Sequence, residues 1–321
     1  MIEAIKRHKS IWLVVLFVAS LLLPMVVRES YQLHIVNITY IYIILALSLG
    51  IIIGFIGELS LGHAAFFGIG AYASALMTKD LGLSFWVAFP LATIGTATVG
   101  LLLGYPALRL KGHSFSITTL ALGEVVRLLI NNLQSVTRGP LGLPGIKPPQ
   151  FFNIDLYDRR AFYYILLFFV VASVVFVYRL IYSRVGRAFV AVREDDVLAK
   201  SIGVHVMRYK IMAFVIASGM AAVAGCLYAH YILFISPDTF NLPQSINLVL
   251  MVIIGGSQSI VGPIIGAFLI TSIPEILRAV AEYRMVTYGA VLIFAIVFMP
   301  RGIVGTIKDR FESLGQKSIT E

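Results

Sequence analysis

Ionisable residues inside or beside apolar stretches are the parts of this chain whose types and spacing could do chemistry. They occur at three places, which are Glu58 with His63, Glu124 with Arg127, and Glu275 with Arg278. A charge inside a membrane is energetically costly, so such residues usually pair with one another or face a substrate or ion path. We therefore take the first two pairs as candidates for a translocation path or for contacts between helices.

Spacing separates the three pairs. Glu124 and Arg127 stand three residues apart, which puts them on one helical face as a buried pair or as a polar patch that faces a pore. Glu275 and Arg278 repeat this spacing near a predicted helix end, where we expect a structural pair at the membrane interface. The first pair flanks a break between two apolar segments, and we expect it at the inner membrane surface rather than in a proton relay.

The short motifs of nucleotide and zinc chemistry are missing from the sequence. It contains no Gly-x4-Gly-Lys-[Ser/Thr] phosphate loop and no His-Glu-x-x-His zinc motif. The single cysteine, Cys226, lies in an apolar run, so neither an internal disulfide nor a cysteine metal cluster is expected. We therefore expect a chain that is not an enzyme, with no catalytic residue, no metal and no cofactor of its own.

Composition places these residues in a membrane protein. Hydrophobic residues make up 59% of the 321 residues and charged residues 13%, and the mean hydropathy is +0.92. Soluble domains carry about 25% charged residues. Because a membrane helix needs roughly 20 apolar residues, we predict an all-α polytopic protein with about ten transmembrane or partly re-entrant helices. Residues 1–321 form a single transmembrane domain, and the net charge of +9 reflects basic loops rather than nucleic-acid binding.

Ten apolar segments are predicted to span the membrane: Ile11–Val27, Val36–Ile56, Gly62–Met77, Leu83–Gly104, His113–Leu133, Ala161–Tyr182, Ile211–Ile235, Gln244–Gly256, Val261–Leu277 and Val286–Pro300. The third, the eighth and the last are short. Alternation from a cytoplasmic N-terminus puts 15 Lys and Arg residues on inner segments and 8 on outer ones. This bias follows the positive-inside rule, so we expect both termini and the central loop in the cytoplasm.

Two loops between these segments are unusual. The central loop, residues 183–210, carries six basic and three acidic residues with helical character, which predicts a cytoplasmic surface for a partner protein. The external loop, residues 134–160, contains so many Gly and Pro residues that we expect no helix there. It is longer than typical connections, which fits a docking surface, an external cap or a plain exposed loop.

A late turn interrupts the apolar run near the C-terminal end. Its breakers are Gly255, Gly256, Gly262 and Pro263. Gly and Pro release backbone groups that protein or water must satisfy inside a membrane. A tight turn between two helices and a gate in the path are both compatible with this pattern.

Several motifs occur in the order found in one transporter family. Residues 62–72 read GHAAFFGIGAY, residues 106–112 read PALRLKG, residues 118–127 read TTLALGEVVR, and residues 137–146 read TRGPLGLPGI. With the central loop and the late turn, this pattern resembles the branched-chain amino acid ABC transporter permeases of the LivM type. The resemblance covers nearly the whole chain.

The resemblance implies a permease subunit of an ATP-driven importer for branched-chain or similar amino acids in the bacterial inner membrane. Its partners would be a second related permease, two cytoplasmic ATPase subunits that bind the ATP, and a periplasmic substrate-binding protein. The central loop would be the ATPase-coupling element, with Glu194, Asp195, Asp196, Ala199 and Gly203 as its coupling residues.

The chain departs from the family pattern at two places. Gln258 stands in the late turn where the family usually has Gly, and Val197 and Leu198 replace the first two residues of the coupling motif Glu-Ala-Ala-x-x-x-Gly. The alternative function is an ion-coupled secondary transporter of small zwitterionic solutes, which would need an ion site near the membrane midplane. Among leucine, isoleucine, valine, other amino acids, amides and urea, the sequence does not select the substrate.

Overall fold

The computed structural model describes residues 20–25, 29–151, 154–155, 158–276, 289 and 302–306. Helices dominate these parts of the chain. In chain order they are α1 (Ser30–Gly50), α2 (His63–Lys79), α3 (Phe85–Ala107), α4 (His113–Asn132), α5 (Gln134–Thr137), α6 (Arg159–Ile181), α7 (Arg184–Glu194), α8 (Asp196–Ser201), α9 (Val206–Ile232), α10 (Leu242–Gly255) and α11 (Val261–Ile276). Residues 20–25 and 302–306 are also helical.

The predicted spans coincide with these helices wherever the structure describes them. Five helices in the described ranges are long and apolar enough to cross a membrane, namely α1 with its extension to Ile56, α3, α4, α6 and α9. As expected, α2 and α10 are short, with 17 and 14 residues. The predicted spans Ile11–Val27 and Val286–Pro300 lie outside the described residues, apart from single short stretches.

A π-helix, Ile51–Ile56, continues α1 and ends at Gly57, whose φ of +83° requires a glycine. Around it, α1, α2 and α9 form the buried centre. Helix α9 packs most extensively on α2 and α3, while α1 packs against α6, α9 and α11. Helices α2 and α9 approach so closely at Gly225 that a Cβ added there would lie 2.1 Å from the carbonyl oxygen of Phe67.

The segment 134–160 is more ordered than the sequence predicts. The expectation that its breakers exclude a helix is wrong, since α5 forms one turn ahead of the first glycine and α6 begins at Arg159. Strand β1 (Leu143–Pro144) pairs antiparallel with β4 (Phe234–Ile235), and β2 (Gln150–Phe151) pairs with β3 (Ile154–Asp155).

Side-chain contacts hold this segment against the helix ends. The indole nitrogen of Trp86 donates to the carbonyl oxygen of Gln150 at 2.8 Å. A ring nitrogen of His230 on α9 lies 2.7 Å from the carbonyl oxygen of Lys147. The segment is therefore a folded cap over these ends rather than a plain loop.

Candidate functional site

The central loop, residues 183–210, contains two short helices, α7 and α8, each with its own N-terminal cap. The Ser183 hydroxyl accepts hydrogen bonds from the first amides of α7, at 3.1 and 3.3 Å. The Asp195 carboxylate accepts from the amides of Val197 and Leu198, at 2.8 and 3.0 Å, and so begins α8. A cap of this kind contributes about 1 kcal/mol to helix stability. The carboxylate of Asp195 therefore serves as the N-terminal cap of α8.

Helix α8 presents large apolar side chains on its outer side. Val197 and Leu198 of α8 and Ile202, the residue that follows it, have exposed fractions of 70%, 63% and 71%, while Ala199 is buried. Gly203 follows the helix with φ +86°, the left-handed conformation expected for a glycine past a helix end. An apolar face of this kind in a charged segment has the form of a helix that inserts into a groove of a partner.

Polar contacts fix this segment to the rest of the molecule. A guanidinium nitrogen of Arg193 donates to the carbonyl oxygen of Gly54 in the π-helix at 2.8 Å. Lys111 forms an ion pair with Asp196 at 2.6 Å. The hydrogen bond from the Lys111 ammonium lowers the pKa of Asp196 below its usual value. Glu194, by contrast, contacts its neighbour Arg193 and is mostly exposed.

A buried ion pair links the C-terminal end of the central loop to the break after α1, the linker that precedes α2. The ammonium of Lys210, in the second turn of α9, lies 2.5 Å from the Glu58 carboxylate, and the two side chains are only 7% and 8% exposed. Removal of one partner from such a pair costs about 3–5 kcal/mol, because it leaves a buried charge unpaired. Glu58 therefore has a structural partner 152 residues away in sequence.

His63 occupies a separate buried position. Its Nε2 lies 2.7 Å from the Ser48 hydroxyl on α1, and its Nδ1 has no hydrogen-bond partner among the described residues. This hydrogen bond does not involve Glu58, so the two residues that the sequence analysis paired have different partners in the structure. Their predicted place at the inner membrane surface stays a prediction.

The glycine-rich stretch 62–72 explains how α2 positions its neighbours. A Cβ added at Gly62 would lie 2.0 Å from the carbonyl oxygen of Thr119 on α4. A Cβ at Gly68 would lie 2.9 Å from the ring of Phe240, in the 3₁₀ helix Pro237–Phe240. The absence of side chains therefore lets α2 hold α4 and this 3₁₀ helix close together.

Glu124 and Arg127 form the predicted pair on α4. The guanidinium donates from Nε to both carboxylate oxygens at 3.0 Å and from Nη2 to one of them at 2.5 Å. The side chains are 40% and 23% exposed, so the pair is not buried. On its other side, Nη1 of Arg127 lies 3.7 Å from the carboxylate of Asp238, which is 83% exposed.

The late turn is a close contact between helices. Gly256 has φ +114°, and a Cβ added at Gly255 would lie 1.8 Å from the carbonyl oxygen of Gly262. A Cβ at Gly50 would lie 3.1 Å from Pro263, so α11 begins directly against α1. These contacts favour a tight packed turn for these residues.

Glu275 lies in α11, but its predicted partner Arg278 lies outside the described residues, as do both chain termini. No group of three or more metal-ligating His, Cys, Asp or Glu residues occurs within the described ranges. The translocation and coupling roles assigned from the sequence remain predictions for all these positions.

The structure adds residues that the sequence analysis missed. Val197 and Leu198 were noted only as departures from a motif, although with Ile202 they form the exposed apolar face. Their exposure has no local sequence signal, since a helical wheel puts Ile202 nearer to the buried Ala199 than to Val197. Lys210 and Asp238 carried no local signal, because each acts with a residue more than 100 positions away.

Comparisons with known proteins agree over most of the chain. Residues 31–296 match the family model described as branched-chain amino acid transport system / permease component. The chain is 34% identical over 319 residues to the high-affinity branched-chain amino acid transport system permease protein LivM of Escherichia coli (strain K12), covering 92% of this chain and 75% of that protein.

A second permease of the same kind of system is also similar. The permease protein LivH of Salmonella typhimurium is 28% identical over 285 residues, which cover 82% of this chain and 91% of that protein. No solved structure matches the chain.

Proposed function

The chain belongs to the family of branched-chain amino acid transport system permeases, and we propose that it is the membrane subunit of an ATP-driven importer of branched-chain or similar amino acids. Its partners are a second, LivH-like permease, two cytoplasmic ATPase subunits and a periplasmic binding protein. The chain sits in the bacterial inner membrane with both termini in the cytoplasm.

The exposed apolar face of α8 is the observation that carries this proposal. Val197, Leu198 and Ile202 are too exposed to stabilise the isolated chain, yet α8 is capped and is anchored by the buried Ala199. A rigid apolar helix inside a basic segment suits a groove on an ATPase subunit, which would cover the three side chains. The charged residues around it then guide the approach of the partner rather than bind it tightly.

The contacts beneath α8 give a route by which ATPase closure moves the spans. A push on α8 acts on Arg193 and through it on the end of the π-helix at Gly54. It also acts on α9, which follows the segment directly and whose Lys210 is tied by its ion pair with Glu58 to the break after α1. The two central helices α1 and α9 therefore receive the same displacement, which fits a rocking of one permease against the other.

A pair of exposed apolar residues provides a controlled test of the docking surface. Val197→Ser with Leu198→Ser removes apolar contact area from α8 while the hydrogen bonds of its cap stay in place. Because the residues are exposed in the chain itself, the variant should insert normally but lose most of the co-purified ATPase subunits.

Leu141→Ser is the matched control, since Leu141 is 84% exposed on the segment 134–160, which the predicted topology puts on the opposite side of the membrane. This variant should retain the ATPases. Equal retention of the ATPases by the control and the double variant would remove α8 as the docking element.

A further inference from the structure

The ion pair on α4 lies in an exposed apolar strip. Ile117 and Leu128, on the same side of the helix as Glu124, are 66% and 42% exposed, and Glu124 itself is 40% exposed. At 1.5 Å per residue, Glu124 and Arg127 lie about 16 and 21 Å from the first residue of a helix about 30 Å long. Because α4 is long and apolar enough to cross a membrane, we place both residues inside its membrane-spanning part.

A charged pair at this depth is costly if it faces lipid, and intramembrane charges almost always face protein or a water-filled cavity. The partly exposed pair is therefore expected to face the space between this chain and its second permease. This step rests on the proposed function, which supplies the second permease.

The 3₁₀ helix Pro237–Phe240 presents a second carboxylate to the same place. Phe240 is 3% exposed, and its ring contacts the rings of Phe67 and Tyr72 edge-on, with centroids 5.1 and 5.9 Å apart. This anchoring fixes the backbone two residues from Asp238, whose carboxylate stays open. Nearby, the buried hydroxyl of Tyr72 has no hydrogen-bond partner among the described residues.

The three charged groups match the two charges of an amino acid. Glu124 occupies Nε and one side of Nη2 of Arg127, which leaves the Nη1 edge of the guanidinium facing Asp238. An incoming carboxylate can accept hydrogen bonds from that edge, since a guanidinium fork fits carboxylate geometry. An incoming ammonium can donate to Asp238, whose only ion-pair partner in the described parts of the chain is Arg127, at 3.7 Å.

We propose that Arg127 and Asp238, with Glu124 holding the guanidinium in place, form a recognition site for the carboxylate and ammonium groups of a zwitterionic amino acid crossing the membrane. The exposed apolar side chain of Leu128, one helical turn from Glu124, contacts the aliphatic side chain of the substrate. Bound in this way, each substrate charge meets an opposite charge, and the site selects against solutes that lack either group.

The test uses the complete assembly in proteoliposomes, with leucine-loaded binding protein outside and ATP at the ATPase side. Asp238→Asn keeps the shape of the side chain but removes its charge, so leucine uptake should fall about tenfold, in line with the loss of one charge-assisted hydrogen bond. Asp80→Asn is the matched control, because Asp80 is an exposed aspartate at the end of α2, and its uptake should equal that of the original protein.

Variants of the pair separate recognition from support of the fold. Glu124→Gln with Arg127→Gln leaves unpaired only Asp238, which is 83% exposed, so the assembly should form, but uptake should remain at least tenfold lower. Arg127→Lys keeps the positive charge without the planar fork and should also lower uptake in an intact assembly.

The outcomes separate the two proposals. Absence of ATP-dependent leucine uptake by the original protein would overturn the proposed function. With that uptake present, normal transport by Asp238→Asn or by the double variant would overturn the recognition site alone. Loss of Asp238→Asn from the assembled complex would assign Asp238 a structural role and would also overturn it.

Discussion

Two ion pairs of similar length have different surroundings in this molecule. Glu58 and Lys210 meet at 2.5 Å with both side chains less than a tenth exposed, and they join two distant parts of the chain. Glu124 and Arg127 also meet at 2.5 Å, but they are neighbours on one helix, are partly exposed and stand close to a third charge. The first pair is closed and holds the fold, whereas the second is open and can exchange partners. Burial, rather than distance, distinguishes the two.

The largest effect is expected at the closed pair. Glu58→Gln or Lys210→Met should destabilise the assembly by about 3–5 kcal/mol, because each leaves one charge buried without its partner. The double change should recover most of this loss. Size-exclusion chromatography after a series of heating steps measures the temperature at which the protein aggregates. If the single changes leave that temperature unchanged, Glu58 and Lys210 are solvated and the distinction between the two pairs fails.

The next effect concerns the segment that the closed pair supports. Gly203→Val forces a β-branched residue into a left-handed conformation, at a cost of roughly 1–2 kcal/mol, and should distort the exit of α8. Co-purified ATPase subunits, substrate-stimulated ATP hydrolysis and uptake should all fall together, while the binding protein still binds its ligand.

Gly82→Val is the matched control for this change. Gly82 has φ +65° and, like Gly203, has open space where a Cβ would be added. It should therefore cause the same local strain between α2 and α3 without loss of the ATPases. If Gly203→Val retains the ATPases as well as this control does, α8 is not the coupling element.

The smallest effect on stability is expected at the open pair. Glu124→Gln or Arg127→Gln should cost about 1 kcal/mol or less, since the proposed path between the two permeases is water-filled and solvated pairs are stabilised little by their mutual attraction. Combining the changes should restore part of the lost assembly. The same heating series measures these variants, and a loss as large as that of Lys210→Met would show that the open pair also holds the fold.

The sequence predicts the helices well and the contacts between them poorly. Each described span follows from a run of apolar residues of sufficient length, and the short α2 and α10 follow from Gly and Pro at their ends. The pairing of Glu124 with Arg127 follows from a spacing of three. The π-helix at Ile51–Ile56 and the turn at α5 carry no such pattern.

Long-range partners depend on how helices pack. Glu58 lies in a linker and Lys210 in a helix 152 residues later, so only the packing of α9 beside the break brings them together. Asp238 reaches Arg127 because Gly68 lets the 3₁₀ helix approach α2. The apolar residues Val197, Leu198 and Ile202 can be read from the sequence. Only the structure shows that they are exposed while Ala199 is buried.

The most direct test of the account is leucine uptake by the complete assembly in proteoliposomes without any ion gradient. The account predicts that ATP and loaded binding protein are sufficient, and that dissipating a proton or sodium gradient has no effect. Uptake that requires such a gradient and proceeds without ATP hydrolysis would contradict it, and would identify an ion-coupled transporter instead.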